Sequence, residues 1–344
     1  MKNTSNKNYT HFEWIDLAKF SSIFLVILFH CPPSLSGTVA GVSLSHLRLP
    51  SFFFYAGLLF SFSRYPSFID FVKHRSKQLL IPYFCFFFLF YLFWLVVGKN
   101  LSSPEERAMP FYQPLIEYLY GRPFLVDWPL WFLAALFAMQ CLFYLFRKIN
   151  RKISVVILFA LSYLSHLIDL SSVPWMLDYV CNFIFYYGIA SLYKKEFFRF
   201  MEMKSRFYIG FILLIIYFIC TFQLLENPDK YLAIPLNLLC SLSLIVPLFI
   251  LIKAFTDHRR IPKIIKYMAS NTIIMLACHT YAIRLFSILI TRVMHANDDF
   301  FDGQYGLKLA LAIGVTILMW IPVYIINRYF PFIIGKKRTK KQKD

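Results

Sequence analysis

The sequence is poor in charged residues, and acidic residues are especially scarce. Only 16% of the 344 residues are charged, whereas a typical soluble domain carries about 25%. The chain has 36 Lys and Arg against 18 Asp and Glu, and 59% of its residues are hydrophobic. This composition excludes an ordinary soluble domain. The net charge of +18 does not indicate a nucleic-acid partner, because the basic residues form short clusters between apolar segments, as in membrane proteins.

Several sequence motifs are also missing. The seven cysteines form no CxxC pair, so neither a disulfide framework nor a metal site is indicated, and we expect them to be packing residues. The chain contains no GxGxxG, P-loop, HExxH or GxSxG motif. No cleavable signal peptide is visible, since residues 1–13 are polar and Pro32–Pro33 follows the first apolar span. We therefore expect that span to be a retained signal-anchor.

Long apolar blocks dominate the rest of the chain. They do not alternate between apolar and polar residues, which indicates membrane helices and not the strands of a transmembrane barrel. We predict an all-α, polytopic integral membrane protein with about ten transmembrane helices. The second of these is short and could be a half-span or a broken helix. The predicted spans cover residues 14–31, 50–63, 79–98, 128–146, 153–168, 175–193, 207–225, 232–252, 268–290 and 307–327.

The distribution of Lys and Arg predicts the orientation of the chain. With the N-terminus inside, 28 of the 36 Lys and Arg residues fall in the segments that face the cytoplasm. Such a split predicts that both termini are cytoplasmic. We interpret residues 1–335 as a single membrane-embedded domain. Residues 336–344 are then a basic cytoplasmic tail that anchors the topology at anionic lipid.

Lys19 and His30 are ionisable residues within the first span. Eleven positions separate them, so in a helix they share one face and lie about 16 Å apart. Ionisable groups inside membrane helices are costly and usually functional. The His30 imidazole could take a proton from a hydroxyl near neutral pH, or simply be hydrogen-bonded at the interface. Lys19 could instead reach the headgroups or pair with Asp16.

Two further candidates lie beyond the first span. Arg75 belongs to a basic cluster before the third span, where it could be a topology anchor or bind the phosphate of an anionic cofactor arriving from the cytoplasm. His279 lies in the middle of a span, where a histidine is costly unless it has a partner, so functional and structural roles are both open. Arg284, in the same span, favours a polar interior there.

The longest loop, residues 99–127, combines aromatic and acidic side chains. Such a combination is typical of a sugar-binding surface, although aromatic residues are also common at membrane interfaces. Asp127 at the end of the loop precedes Trp128 and Trp131, and an acid is unusual beside two interfacial tryptophans.

Five short motifs follow one another in the chain. They are Lys19 with His30 eleven residues later, Pro50–Gly57 (PSFFFYAG), Arg75 with Gln78, Leu130–Leu133 (LWFL) and Ser270–His279 (SNTIIMLACH). With these motifs in order, the chain resembles the membrane-bound acyltransferase 3 family, which includes bacterial surface-polysaccharide O-acetyltransferases. That family has Arg at the positions of Lys19 and Gln78, and Ser at the position of Ala56. In these two replacements of Arg, the chain resembles the branch of the family that includes fucose acetylase-like and common-antigen acetyltransferases.

The resemblance implies a function and a role for each candidate residue. It implies an acyl-CoA-dependent O-acetyltransferase without a metal, which moves acetyl from acetyl-CoA to a hydroxyl of a cell-surface polysaccharide or its lipid-linked precursor. It also implies a multi-pass protein of the bacterial inner membrane, with the lipid bilayer around it and no nucleic-acid partner. His30 and His279 would be the catalytic residues, with His279 in a supporting role. Lys19 and Arg75 would hold the anionic donor.

Two other functions remain open for a polytopic basic protein. It could be a glycan or small-molecule transporter without covalent chemistry, or a membrane sensing domain. A transporter would be favoured by inverted repeats or by broken helices in matching halves, and neither is found in the sequence.

Overall fold

The computed structural model describes residues 13–99, 107–123, 125–226, 228–295 and 298–336. Within these ranges the chain forms helices and turns and no strand, which confirms the predicted all-α class. The helices are α1 Glu13–His30, α2 Val39–Leu59, α3 Phe68–Gly98, α4 Gln113–Leu119, α5 Trp128–Lys148, α6 Arg151–Ser165, α7 Leu177–Leu192, α8 Lys194–Glu202, α9 Arg206–Leu225, α10 Lys230–His258, α11 Lys263–Ala269, α12 Thr272–Val293 and α13 Tyr305–Tyr329.

Six helices in the described ranges are long and apolar enough to cross a membrane, namely α3, α5, α9, α10, α12 and α13. They make this a multi-pass membrane protein. The other four predicted spans also form helices, which are α1, α2, α6 and α7. These four are shorter, less apolar or more charged than the six, so the count of ten transmembrane helices stays a prediction.

Helix α2 differs most from its predicted span. It begins at Val39 and not near Pro50, which lies inside the helix. Thr38 caps the start by accepting a hydrogen bond from the Gly41 amide at 3.0 Å, as serine and threonine commonly do. Because the first half of α2 carries Ser43 and other polar residues, apolar length alone did not reveal it. The short second span is therefore the later part of a 21-residue helix.

Helix α1 lies at the centre of the bundle. It contacts α2, α10, α11, α12 and α13, and the side chains of Trp14, Ile23 and Ile27 are buried in these contacts. Lys19 and His30 belong to the same helix, so both are held among neighbouring helices.

The loops with basic clusters meet at one end of the bundle, which we call the Lys19 side. Their contacts are the ion pair of Glu13 with Lys266, the ring contact of Trp14 with Phe198 at 5.7 Å and the hydrogen bond from Lys194 to the Phe60 carbonyl at 3.5 Å. The opposite end, where α1 finishes, is called the His30 side. The separation of the two sides agrees with the grouping of segments expected from the distribution of Lys and Arg.

Candidate active site

The structure brings the two candidate histidines together. His30 ends α1, His279 lies in the middle of α12, and their ring centroids are 5.3 Å apart. Packing of α1 against α12 creates this pair. Among the described residues, no group of three or more His, Cys, Asp or Glu side chains is placed to hold a metal ion.

His279 is completely buried, and its hydrogen bond fixes the position of its proton. The Nδ1 atom lies 2.7 Å from the Leu276 carbonyl oxygen. A carbonyl oxygen only accepts, so Nδ1 carries the hydrogen and Nε2 of the neutral ring carries the lone pair. No donor in the described ranges bonds to Nε2. His279 therefore offers a buried acceptor next to His30.

A cavity of about 220 Å³ lies against His30. Its lining includes His30, Arg48, Phe52, Trp131, Phe132 and Tyr179. Of the two histidines only His30 lines this cavity, while His279 lies behind it. A base on the cavity wall with a second histidine behind it suits proton transfer to and from a bound hydroxyl.

Arg48 is a cation in the same cavity that the sequence analysis did not single out. Its guanidinium carbon lies 3.6 Å from the centroid of the Phe29 ring, and such stacking is typical of arginine. No ion pair joins Arg48 to an acid in the described part of the chain. Arg48 is the one cation within the polar first half of α2, and that position was the available signal. Its chemistry suits stabilisation of a developing negative charge.

Lys308 holds the end of α1 in place. The buried ammonium group donates to the carbonyl oxygens of Phe29 at 3.3 Å, of Pro33 at 2.9 Å and of Cys31. A cation is favourable at the carboxyl end of a helix, where carbonyl groups lack intrahelical donors. Since His30 lies among these carbonyls, Lys308 fixes the backbone that carries the candidate base. The sequence analysis missed Lys308.

A second cavity, of about 210 Å³, lies against Lys19. Its wall is mainly apolar, with Leu79 among its members, and Ser270 and Thr272 add polar groups. The Lys19 ammonium also lies 3.6 Å from an Asp16 carboxylate oxygen. The pairing with Asp16 considered from the sequence is therefore present, and the same lysine also lines a cavity.

One layer of side chains separates the two cavities. Phe52, Phe132 and Leu276 line both of them, and the rings of Phe52 and Phe132 are 5.3 Å apart. The cavities thus lie end to end along α1, one beside Lys19 and the other beside His30.

Arg75 is not among the residues that line either cavity in the described structure. It donates to Gln78 Oε1 at 2.8 Å, and its guanidinium carbon lies 5.7 Å from the Tyr65 ring centroid. Leu79, about one helical turn away, does line the Lys19 cavity. The structure thus brings Lys19 to a cavity and leaves Arg75 beside it, on the same side of the bundle.

The long loop is only partly a surface for a ligand. Tyr118 is buried and stacks on Phe87 with centroids 3.7 Å apart, so it belongs to the core. Phe111 and Tyr112 are exposed. Residues 100–106 and 124, which carry part of the predicted sugar-binding surface, lie outside the described residues.

A multi-pass helical bundle with a histidine pair and cations at internal cavities fits a membrane-embedded transferase. A family model described as an acyltransferase domain, Acyl_transf_3, matches residues 12–334. The chain therefore belongs to the acyltransferase 3 family, and it is a membrane acyltransferase. No curated protein and no solved structure gives a significant match.

Proposed function

We propose that this protein transfers an acetyl group from acetyl-CoA to a hydroxyl of a cell-surface polysaccharide or of its lipid-linked precursor. The observation that supports this most is the position of His30, which lines a cavity and lies next to His279, with ring centroids 5.3 Å apart. The family supports acyl transfer in general, and the resemblance noted from the sequence supports the choice of donor and acceptor.

In this proposal His30 is the general base and His279 sets its orientation. On binding of the acceptor, the ring of His30 is proposed to turn so that its N–H donates to Nε2 of His279. That atom has no donor in the described structure, and Nδ1 of His279 is already engaged by Leu276. The second ring nitrogen of His30 then presents its lone pair to the acceptor hydroxyl. A histidine held in one tautomer by a second group is the usual arrangement of an imidazole base.

The chemical step is a displacement at the thioester. His30 takes the hydroxyl proton while the hydroxyl oxygen attacks the carbonyl carbon, and Arg48 stabilises the negative oxygen that forms. The carbon–sulfur bond then breaks, the new ester forms, and the leaving thiolate takes the proton from the His30 imidazolium. No other proton donor is needed.

The donor is proposed to bind from the Lys19 side. The Lys19 cavity is mainly apolar and too small for a whole acyl-CoA, so it suits the thioester end and part of the pantetheine arm. The phosphates then lie further out, where Lys19 and Arg75 provide positive charge. The thioester would reach His30 past Phe52, Phe132 and Leu276, the layer between the two cavities.

The Lys19 side is proposed to face the cytoplasm of a bacterial cell, with the protein in the inner membrane. The basic loops that meet on this side support the orientation. Reporter fusions after Arg64, Arg147, Lys194 and Arg259 should report a cytoplasmic position, and fusions after Asn100 and Asp229 should report the outside. A reversed pattern at two adjacent loops would overturn the predicted span count, and reversal at every loop would overturn this orientation.

Purified protein in detergent provides the direct test. Acetyl transfer, or slow hydrolysis of acetyl-CoA without acceptor, is expected from the wild-type protein, whereas a transporter or sensing domain would show neither. In cells, deletion of the protein should remove the mass of one acetyl group from a surface glycan. Absence of both the activity and the mass difference would contradict the proposal.

A further inference from the structure

A third cavity, of about 180 Å³, lies on the His30 side between α3, α12 and the segment before α5. Its wall includes Trp94, Asp127, Trp128, Thr280, Tyr281 and Arg284. Trp128 lines this cavity and the His30 cavity as well, and Thr280 follows His279 in α12. The third cavity is therefore adjacent to the proposed catalytic site, and the proposed catalytic mechanism does not use it.

Asp127 is the first indication that the cavity takes a ligand. Its side chain lines the cavity, although the residue is only 2% exposed. The Thr280 side chain interacts with the carboxyl group, but no donor in the described ranges meets hydrogen-bond geometry for either oxygen. A buried carboxyl group without such donors is costly. Hydroxyl groups of a ligand in the cavity would supply the missing donors.

Arg284 provides the opposite chemistry on the same wall. In the described structure no ion pair joins it to Asp127 or to another acid. The cavity thus holds a carboxyl group that accepts hydrogen bonds and a guanidinium that donates them. These two groups do not form an ion pair with each other. An anionic ligand would be disfavoured beside the buried carboxyl group, and a cationic ligand would be disfavoured beside the guanidinium. A neutral molecule with several hydroxyls satisfies both groups, because each hydroxyl donates and accepts.

Aromatic side chains complete the cavity. Tyr281 is held rigidly, since its hydroxyl donates to the Val126 carbonyl at 2.7 Å and its ring stacks on Phe90 at 4.2 Å. Trp94 and Trp128 lie on the same wall. Flat apolar faces beside a few polar groups that converge on the same space are typical of a site for a small molecule with both apolar and hydroxyl faces.

We propose that this cavity binds a neutral pyranose unit of the acyl acceptor. The Asp127 carboxyl group accepts hydrogen bonds from ring hydroxyls, Arg284 donates to other hydroxyl oxygens, and the aromatic residues pack on the apolar face of the ring. The adjacent part of the acceptor then passes Trp128 to reach His30. This assignment rests on the proposed transfer of acetyl to a glycan acceptor, because it names the part of that acceptor that the enzyme holds.

Binding of simple sugars to the full chain in lipid nanodiscs tests the proposal. Methyl α-D-glucopyranoside, methyl α-L-fucopyranoside and N-acetylglucosamine serve as neutral probes, and glucuronic acid and glucosamine serve as charged ones. We expect a neutral probe to bind best by calorimetry. Arg284→Gln should weaken it by about 10- to 150-fold, the range for a lost hydrogen bond to a charged group, and Asp127→Asn should also weaken it, because one accepting oxygen is replaced by an NH₂ donor.

Matched variants distinguish the cavity from a general effect of charge. Asp169→Asn removes an exposed acid and Arg292→Gln an exposed arginine of α12, and both should keep wild-type affinity. Arg284 is also exposed, so its variant tests the proposal even if Asp127→Asn does not fold. The proposal is overturned if no neutral probe binds, if a charged probe binds best, or if the site variants that fold keep wild-type affinity.

Acetyl-CoA hydrolysis by the same preparations separates this proposal from the proposed function. Sugar binding that depends on Arg284, in a protein without any acetyl-CoA activity, would contradict acetyl-CoA as the proposed donor and support the sugar site. Acetyl transfer in a protein whose sugar affinity is insensitive to Arg284→Gln would support the proposed donor and contradict the sugar site.

Discussion

Helices α1 and α9 show opposite relations between polarity and position. Helix α1 carries Glu13, Asp16, Lys19 and His30, and lies at the centre of the bundle with eight of its 18 residues buried. Helix α9 is more apolar, yet only five of its 20 residues are buried.

The difference in burial between α1 and α9 follows from the lipid that surrounds a membrane protein. Lipid tails are as apolar as leucine, so an apolar helix gains little by moving from lipid into the protein. Ionisable groups are costly in lipid and face the bundle interior or a water-filled cavity. In this protein the polar residues of an apolar segment therefore mark the interior, and the most exposed phenylalanines, such as Phe211 and Phe218 of α9, mark its outer surface.

The largest effect is expected from His30 on α1. His30→Ala should lower acetyl transfer by about 10² to 10⁴, the usual contribution of a general base. The rate should be measured with purified protein that elutes as a single species. His166→Ala, which removes an exposed histidine, should retain wild-type activity. More than about a tenth of wild-type activity in His30→Ala would show that His30 is not the base.

The next effect concerns donor binding at the other end of α1. Lys19→Ala should weaken acetyl-CoA binding by roughly 10- to 150-fold, because one charged contact is lost. Lys19→Arg should retain most of the affinity, since it keeps the cation. Arg75→Gln should have a smaller effect, since Arg75 lies beside the cavity and not on its wall. Binding can be measured by calorimetry.

Lys195→Ala is the matched control, because Lys195 is an exposed lysine on the same side of the bundle. Its affinity for acetyl-CoA should equal that of the wild type. Unchanged affinity in both Lys19→Ala and Arg75→Gln would show that the donor does not bind on the Lys19 side.

His279 should contribute less than His30, because it acts through His30. Loss of one hydrogen bond of about 0.5–1.5 kcal/mol corresponds to roughly 2- to 13-fold in rate. We expect His279→Ala to lower kcat by that amount, to change the pH dependence of kcat and to leave the KM for acetyl-CoA unchanged. A loss as large as that of His30→Ala, or an unaltered pH profile, would be incompatible with this orienting role.

The smallest effect is expected on the outer surface. Phe218→Ala in α9 removes an aromatic ring from a residue that is 68% exposed. It should change activity by no more than about twofold and the free energy of unfolding by no more than about 0.5 kcal/mol. Both can be measured in the preparation used for His30→Ala. A loss of activity at Phe218 close to that of His30→Ala would remove the contrast between α1 and α9.

Several parts of the fold and site were accessible from local sequence. The helical membrane class follows from the length of the apolar segments and is confirmed. The order of the motifs indicated the family to which the chain belongs, as the match to the family model shows. Lys19 and His30 were found because charge stands out in an apolar helix. The start of α2 was missed, since its first half is polar and its interior contains Pro50. Arg48 was missed with it.

The order of amino acids was enough to show which residues could do chemistry, because a histidine or a lysine in an apolar segment is conspicuous at any position. The packing of the helices was needed to show which of these residues meet. The contact of His30 with His279, the capping of α1 by Lys308 and the placement of Arg75 beside the cavity depend on how each helix is rotated and shifted against its neighbours. Packing between elements distant in sequence sets that rotation and shift, and the local pattern of apolar residues does not encode it.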